Sequence, residues 1–203
     1  MDTLLRGMLI GFSIAAPVGP IGVLCIRRTL AEGRAYGLAS GLGAATADAF
    51  YGGIAGFGLT FISSALVSQQ IWLRLLGGAF LCYLGVRTFL TTPARNAASA
   101  QGKGLIGAYV STLFLTLTNP LTILSFAAVF SGFGLAAGAR DYGGAMLLVL
   151  GVFAGSALWW LVLSGGVGLL RNHMKIGWLR WVNIASGLVI TGFGLVALMG
   201  LLA

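Results

Sequence analysis

The sequence predicts an all-α membrane protein of six transmembrane helices, arranged as two inverted three-helix repeats in which the first and fourth helices are broken. Hydrophobic residues make up 58% of the 203 residues and charged residues 8%, with a mean hydropathy of +0.99. Soluble globular domains do not have this composition. Two proline-containing breaks, about one hundred positions apart, interrupt the apolar stretches and suggest the repeat.

The spans are predicted from apolar stretches of roughly 20 residues, the length that crosses about 30 Å of hydrocarbon. They cover residues 4–26, 36–62, 71–90, 105–130, 143–168 and 178–202. A polar linker at residues 93–104 divides the single membrane domain, residues 1–203, into halves at 1–92 and 105–203 with three spans each. An odd number of spans per half gives the second half the opposite orientation.

The first break is the segment Ala15–Ile21, which contains Pro17, Gly19 and Pro20. Proline removes an i to i−4 hydrogen bond and glycine weakens a helix, so in lipid the freed backbone groups need neighbouring helices, water or a ligand. Interrupted helices at corresponding positions of two halves indicate the binding site of a transporter. The alternative is that the prolines are kinks that only shape packing.

The second break, in span four, is Asn119-Pro120. We expect the Asn119 amide to cap the helix that restarts at Pro120. The half-helix that begins after Pro17 and Pro20 presents free N–H groups and a positive dipole end, which favour an anion such as a carboxylate.

Asp48 is the one acid of the four that lies inside a predicted span, about 16 Å from the cytoplasmic end of its helix at 1.5 Å per residue. Intramembrane acids face a cavity or a partner and mark ion or proton pathways. Small residues share its helical face, which suits close packing: Gly41, Ala44, Ala45, Gly52 and Ala55. Asp48 is therefore predicted to contact a cation, a proton or a substrate amine. The alternative is a structural hydrogen bond to a carbonyl freed by Pro17 or Pro20.

Trp159 and Trp160 lie near the middle of span five, and one of them is a candidate wall of the substrate cavity. Adjacent helical residues point about 100° apart, so both cannot face the same cavity. We take Trp159 as the candidate.

The twelve cations are distributed unequally between the two predicted sides of the membrane, three on one side and nine on the other. By the positive-inside rule the side with nine is cytoplasmic, which places both termini outside. These nine are Arg27, Arg28, Arg34, Arg87, Arg95, Lys103, Arg171, Lys175 and Arg180.

Other classes of function have little support in the sequence. The net charge of +8 is scattered rather than forming a nucleic-acid stripe. The single histidine, His173, lies in a basic loop, Cys25 and Cys82 lack a metal-type spacing, and no enzyme motif is present. We therefore expect no enzyme activity, no cofactor and no metal; the bilayer and a small-molecule substrate are the expected partners, and a homo-oligomer stays open.

Three features resemble the LysE amino-acid exporter family, which includes the RhtB-type threonine and homoserine exporters. They are Ala-Pro-Val-Gly-Pro in span one, the glycine-rich stretch Gly37–Gly52 with Asp48, and Thr118-Asn119-Pro120. The resemblance implies export of amino acids across the bacterial inner membrane, driven by a proton gradient or the membrane potential. Many members follow the Asn-Pro pair with a basic residue, whereas Leu121 and Thr122 follow here. Alternatives are an exporter of cations or other metabolites in the wider superfamily, or a membrane scaffold without transport.

Overall fold

The computed structural model describes residues 3–17, 19–57, 69–90, 104–119, 122–126, 142–171 and 176–200, and within these ranges the regular structure is helical. The helices are α1 (Thr3–Ala15), α2 (Pro20–Glu32), α3 (Arg34–Gly56), α4 (Gln70–Leu90), α5 (Gly104–Thr118), α6 (Tyr142–Arg171) and α7 (Ile176–Met199). Residues 122–126 form a further helical turn after α5.

The helices have the lengths and composition of a multi-pass membrane protein. Residues 71–90, 142–170 and 180–199 are each long and apolar enough to cross a bilayer, and α1 with α2 passes the same test as one bent span. The 23 residues of α3 cover the start of the predicted second span, and the shorter α5 covers the start of the fourth. The helical class is therefore confirmed, while the arrangement as six spans in two repeats stays a prediction.

The predicted break in the first span is present. Helix α1 ends at Ala15, α2 begins at Pro20, and the two axes are bent by 81°. Pro20 occupies the first turn of α2, where its missing N–H has no intrahelical partner to lose. Between the helices, the Gly19 N–H donates to the Pro17 carbonyl at 3.0 Å.

The second predicted break is also seen, because α5 ends before Pro120 and a new helical turn follows it. Helix α5 ends at Thr118, and the Asn119 carbonyl accepts a hydrogen bond from the Ile123 N–H at 3.2 Å, which starts the next helical turn. Pro120 itself, like the linker at 93–103 and His173, lies outside the described residues.

Helix α2 extends beyond residue 26, where span one was predicted to end. Helix α2 continues to Glu32 and ends at Gly33, whose φ of 112° is a left-handed conformation that glycine adopts without steric cost. The Gly33 N–H lies 3.1 Å from the carbonyl oxygens of Arg28 and Thr29. The helix continues because Arg28 is buried and hydrogen-bonded to neighbouring helices rather than exposed in a loop.

Glycine allows the helices to pack backbone against backbone. Helix α1 lies along α6, α4 lies along α7, and α3 packs against both α5 and α6. A Cβ added at Gly11 of α1 would overlap the carbonyl oxygen of Val152 in α6, and one at Gly155 would overlap the carbonyl oxygen of Met8. These contacts hold α1 in place, so that its C-terminal end is fixed at the break.

Gly11→Ala is expected to destabilise the protein, because the added methyl group meets rigid backbone rather than a movable side chain. Overpacking of this kind costs about 1 to 3 kcal/mol, which should appear as a lower melting temperature of the purified protein in detergent. Gly19→Ala is the matched control, since its Cβ would meet nothing within 4 Å and its φ of −99° suits any residue. Equal melting temperatures for the two variants would contradict the backbone contact between α1 and α6.

Candidate functional site

A cavity of about 300 Å³ lies at the break between α1 and α2. Pro17, Gly19 and Pro20 line it from the break, Asp48 from α3, and Asn119 from the end of α5. Residues predicted as one site from three separate parts of the sequence therefore meet in one cavity. Their role in binding stays a prediction.

Asp48 is buried in the wall of this cavity, with 3% of its surface exposed. Its Oδ2 accepts a hydrogen bond of 2.7 Å from the hydroxyl of Ser156 on α6. The Ser156 Oγ in turn accepts a hydrogen bond of 3.1 Å from the indole Nε1 of Trp160. Because an indole N–H can only donate, Trp160 is the donor to Ser156, and the Ser156 hydroxyl is the donor to Asp48 when that carboxyl group is ionised.

Trp160, rather than the expected Trp159, is the tryptophan in the cavity wall. The Trp159 ring instead packs edge-on against Phe12 of α1, with 5.4 Å between ring centroids. The two indoles thus point to different neighbours, as the helical angle between adjacent residues requires. Trp160 belongs to the site through two separate features, since it lines the cavity and is linked through Ser156 to Asp48.

Sequence reasoning also missed Ser156. A lone serine inside an apolar span commonly bonds to its own backbone, so its spacing of four residues from Trp160 carries a weak signal. Only the packing of α3 on α6 places its hydroxyl beside Asp48.

The face of α3 that carries Asp48 is packed, as its small residues predict. Ala44 and Ala45 are 1% and 0% exposed, whereas Phe50 on another face is 54% exposed. A Cβ at Gly41 would overlap the Trp160 side chain, and one at Gly52 would lie 3.3 Å from Val152. The absence of side chains at these positions is what lets α6 bring Ser156 and Trp160 to Asp48.

The start of α2 forms another wall of the cavity. The first intrahelical bond described in α2 runs from the Val23 N–H to the Gly19 carbonyl at 3.0 Å. Ile21 and Gly22 precede this bond and line the cavity, so the positive end of the helix dipole is directed at it.

Hydroxyl groups complete the wall near Asn119. The Asn119 amide nitrogen donates to the Thr122 Oγ1 at 3.0 Å, and Thr116, Thr122 and Ser125 all line the cavity. The site therefore offers a carboxyl group that can hold a proton or a cation, and it offers N–H and O–H donors for an anion.

The chain is similar in sequence to bacterial proteins whose names refer to efflux or to the membrane. The chain is 29% identical over 199 residues to "Putative amino acid efflux protein YcgF" of Bacillus subtilis (strain 168), covering 96% of this chain and 94% of that protein. It is 28% identical over 177 residues to "Uncharacterized membrane protein YahN" of Escherichia coli (strain K12), covering 85% of this chain and 77% of that protein. No solved structure matches it.

The family model described as LysE type translocator matches residues 12–200. This range contains both breaks, Asp48 and every helix except the start of α1. The match confirms the resemblance predicted from the motifs and agrees with a transporter rather than an enzyme. The chain belongs to the LysE type translocator family.

Proposed function

We propose that this protein is a secondary active exporter of amino acids or close derivatives across the bacterial inner membrane. It works by alternating access and is coupled to protons or to the membrane potential. The observation that carries the proposal is the cavity in which Asp48 and the broken first span meet.

The chemistry of the cavity supports a zwitterionic substrate. The amine of an amino acid suits the carboxyl group of Asp48, and its carboxylate suits the free N–H groups at the start of α2. A volume of about 300 Å³ lies at the small end of ligand pockets, which fits a single amino acid. The name of the relative YcgF refers to amino acid efflux, which agrees with this substrate class.

The packing supports a pair of inverted repeats. Close contacts pair Met8 with Gly155 and Leu4 with Gly151, so α1 and α6 run parallel, and contacts at the two ends of α3 show that it runs parallel to α5. If α1 is exchanged with α5, α3 with α6 and α4 with α7, the α1–α6 pair becomes the α5–α3 pair, and the α4–α7 pair is unchanged. Two repeats would produce this pattern. Transporters with inverted repeats alternate access by rocking one bundle against the other around a midplane site.

The orientation is proposed from the cations, with both termini outside. Cysteines introduced at Asn96 and Asn172 are expected to be shielded from an impermeant thiol reagent in whole cells, whereas one at Gly138 is expected to react. These positions lie outside the described residues, and the experiment uses a variant without Cys25 and Cys82. The reverse labelling pattern would overturn the orientation.

The function itself is tested by efflux. Cells that express the protein are loaded with dipeptides, whose hydrolysis raises internal amino acids, and the appearance of each amino acid outside is measured. We expect faster efflux of at least one amino acid than from cells without the protein. Efflux that collapses with a protonophore but not on ATP depletion at constant proton gradient would support secondary coupling. The proposal would be contradicted if, for every amino acid in the panel, efflux from cells with the protein equalled efflux from cells without it.

A further inference from the structure

Arg28 is a buried cation whose described hydrogen-bond acceptors are all neutral oxygen atoms. Only 8% of its surface is exposed. Its Nη1 shares its two hydrogens among Ser40 Oγ at 2.7 Å, the Ala108 carbonyl at 2.9 Å and Thr112 Oγ1 at 2.9 Å, and its Nη2 donates to Ser111 Oγ at 2.8 Å. A guanidinium away from water is expensive unless its donors are satisfied. These four oxygen atoms therefore hold a charge that has lost most of its hydration.

These bonds join three helices on one side of the cavity. Pro20 lines the cavity, and Arg28 lies eight residues further along α2, or about 12 Å at 1.5 Å per residue. On α3, Ser40 lies one turn before the cavity residue Ala44, and on α5, Thr112 lies one turn before the cavity residue Thr116. In each helix, going from the cavity residue to the residue that bonds in this cluster leads toward the end that the distribution of cations predicts to be cytoplasmic. Arg28 and its four acceptors, the Arg28 cluster, therefore lie between the cavity and the cytoplasmic end.

At the level of Arg28, α2 and α5 are linked by hydrogen bonds. Helix α2 packs on α3, α6 and α7, but its contact with α5 is sparse. Three of the four acceptors of Arg28 nevertheless belong to α5: Ala108, Ser111 and Thr112. The two helices also share a buried apolar cluster, to which α2 contributes Leu24 and α5 contributes Leu115. Around Arg28, separating α2 from α5 would exchange these hydrogen bonds for bonds to water, which solvates a guanidinium well.

We propose that Arg28 is a gating residue, which closes the cavity on the cytoplasmic side by latching α2 onto α3 and α5. The inference rests on the proposed alternating access, and it assigns to Arg28 the bonds that break when the cavity opens inward. A polar latch suits a gate because the closed state satisfies the guanidinium with protein oxygens and the open state satisfies it with water. Arg27 makes different contacts, with Glu32 of its own helix and Asn183 of α7.

The test measures access to the cavity rather than transport. A cysteine at Thr116, in the variant without Cys25 and Cys82, is labelled with an impermeant maleimide in inside-out membrane vesicles, where the cytoplasmic face is outside. Arg28→Gln should label roughly tenfold faster than the parent, as the loss of hydrogen bonds to a charged group predicts. Arg87→Gln removes the same charge from an exposed position and should label at the parental rate.

Thr112→Val provides a second variant that keeps the charge of Arg28 and the size of the side chain while removing one acceptor. It should also increase labelling, by about threefold, and it decides the matter if Arg28→Gln does not accumulate in the membrane. If folded Arg28→Gln and Thr112→Val are labelled no faster than Arg87→Gln, the latch is overturned and Arg28 is a packing residue. Labelling requires no substrate, so a failure of the latch is distinguishable from a failure of amino-acid export, which the efflux panel measures.

Discussion

Asp48→Asn is expected to reduce efflux to background while the protein remains folded in the membrane. Asparagine keeps the size of the side chain, and its carbonyl oxygen can still accept the hydrogen bond from Ser156. It cannot take up a proton or neutralise a substrate amine. Efflux of the substrate found in the panel, corrected for the amount of protein in the membrane, is the measurement.

The matched control for Asp48→Asn is Glu32→Gln, which removes the same charge at the end of α2. Glu32 pairs with Arg27 at 3.2 Å and lies away from the cavity lining, so this variant should export at close to the parental rate. Parental efflux by Asp48→Asn, with unchanged dependence on external pH, would show that Asp48 is structural. The buried hydrogen bond to Ser156 would then be its role.

Replacing Pro17 and Pro20 together with alanine is expected to abolish efflux and the thermal stabilisation that added substrate gives. Alanine is favoured over proline by about 3 kcal/mol in a helix interior, so the double variant is driven toward closing the helix across the break. Closure would pair the N–H groups at the start of α2, which we assign to the substrate carboxylate. The single variant Pro120→Ala should have a smaller effect, because its break has one proline backed by Asn119.

The tertiary structure changes the expected stability of this double variant. A continuous helix would require α1 and α2 to give up the 81° bend and with it their separate contacts, α1 with α6 and α2 with α3 and α7. The gain in helix propensity is therefore opposed, and the melting temperature of the substrate-free protein should change little. Parental affinity for substrate in the double variant would rule out the half-helix site and leave both prolines as packing features.

The sequence by itself determined the features that depend on short stretches of chain. Hydropathy is a sum over neighbouring residues, and it predicted a helical membrane protein. Proline acts on the backbone of its own turn, so Pro17 and Pro20 predicted the break between α1 and α2. The cost of placing an acid in lipid also depends on a single residue, so Asp48 could be identified from the sequence. The structure places it in the cavity wall.

The tertiary structure decided which side chains meet. Trp159 and Trp160 have the same local surroundings in sequence, and only the contact of α1 with α6 assigns Trp159 to Phe12 and leaves Trp160 at the cavity. Arg28 looked like a marker of the membrane boundary until α3 and α5 supplied its acceptors. Ser156 reaches Asp48 only because α6 packs against α3. A hydrogen bond between residues distant in sequence depends on how the helices are rotated against each other, and hydrophobic patterning leaves that rotation undetermined.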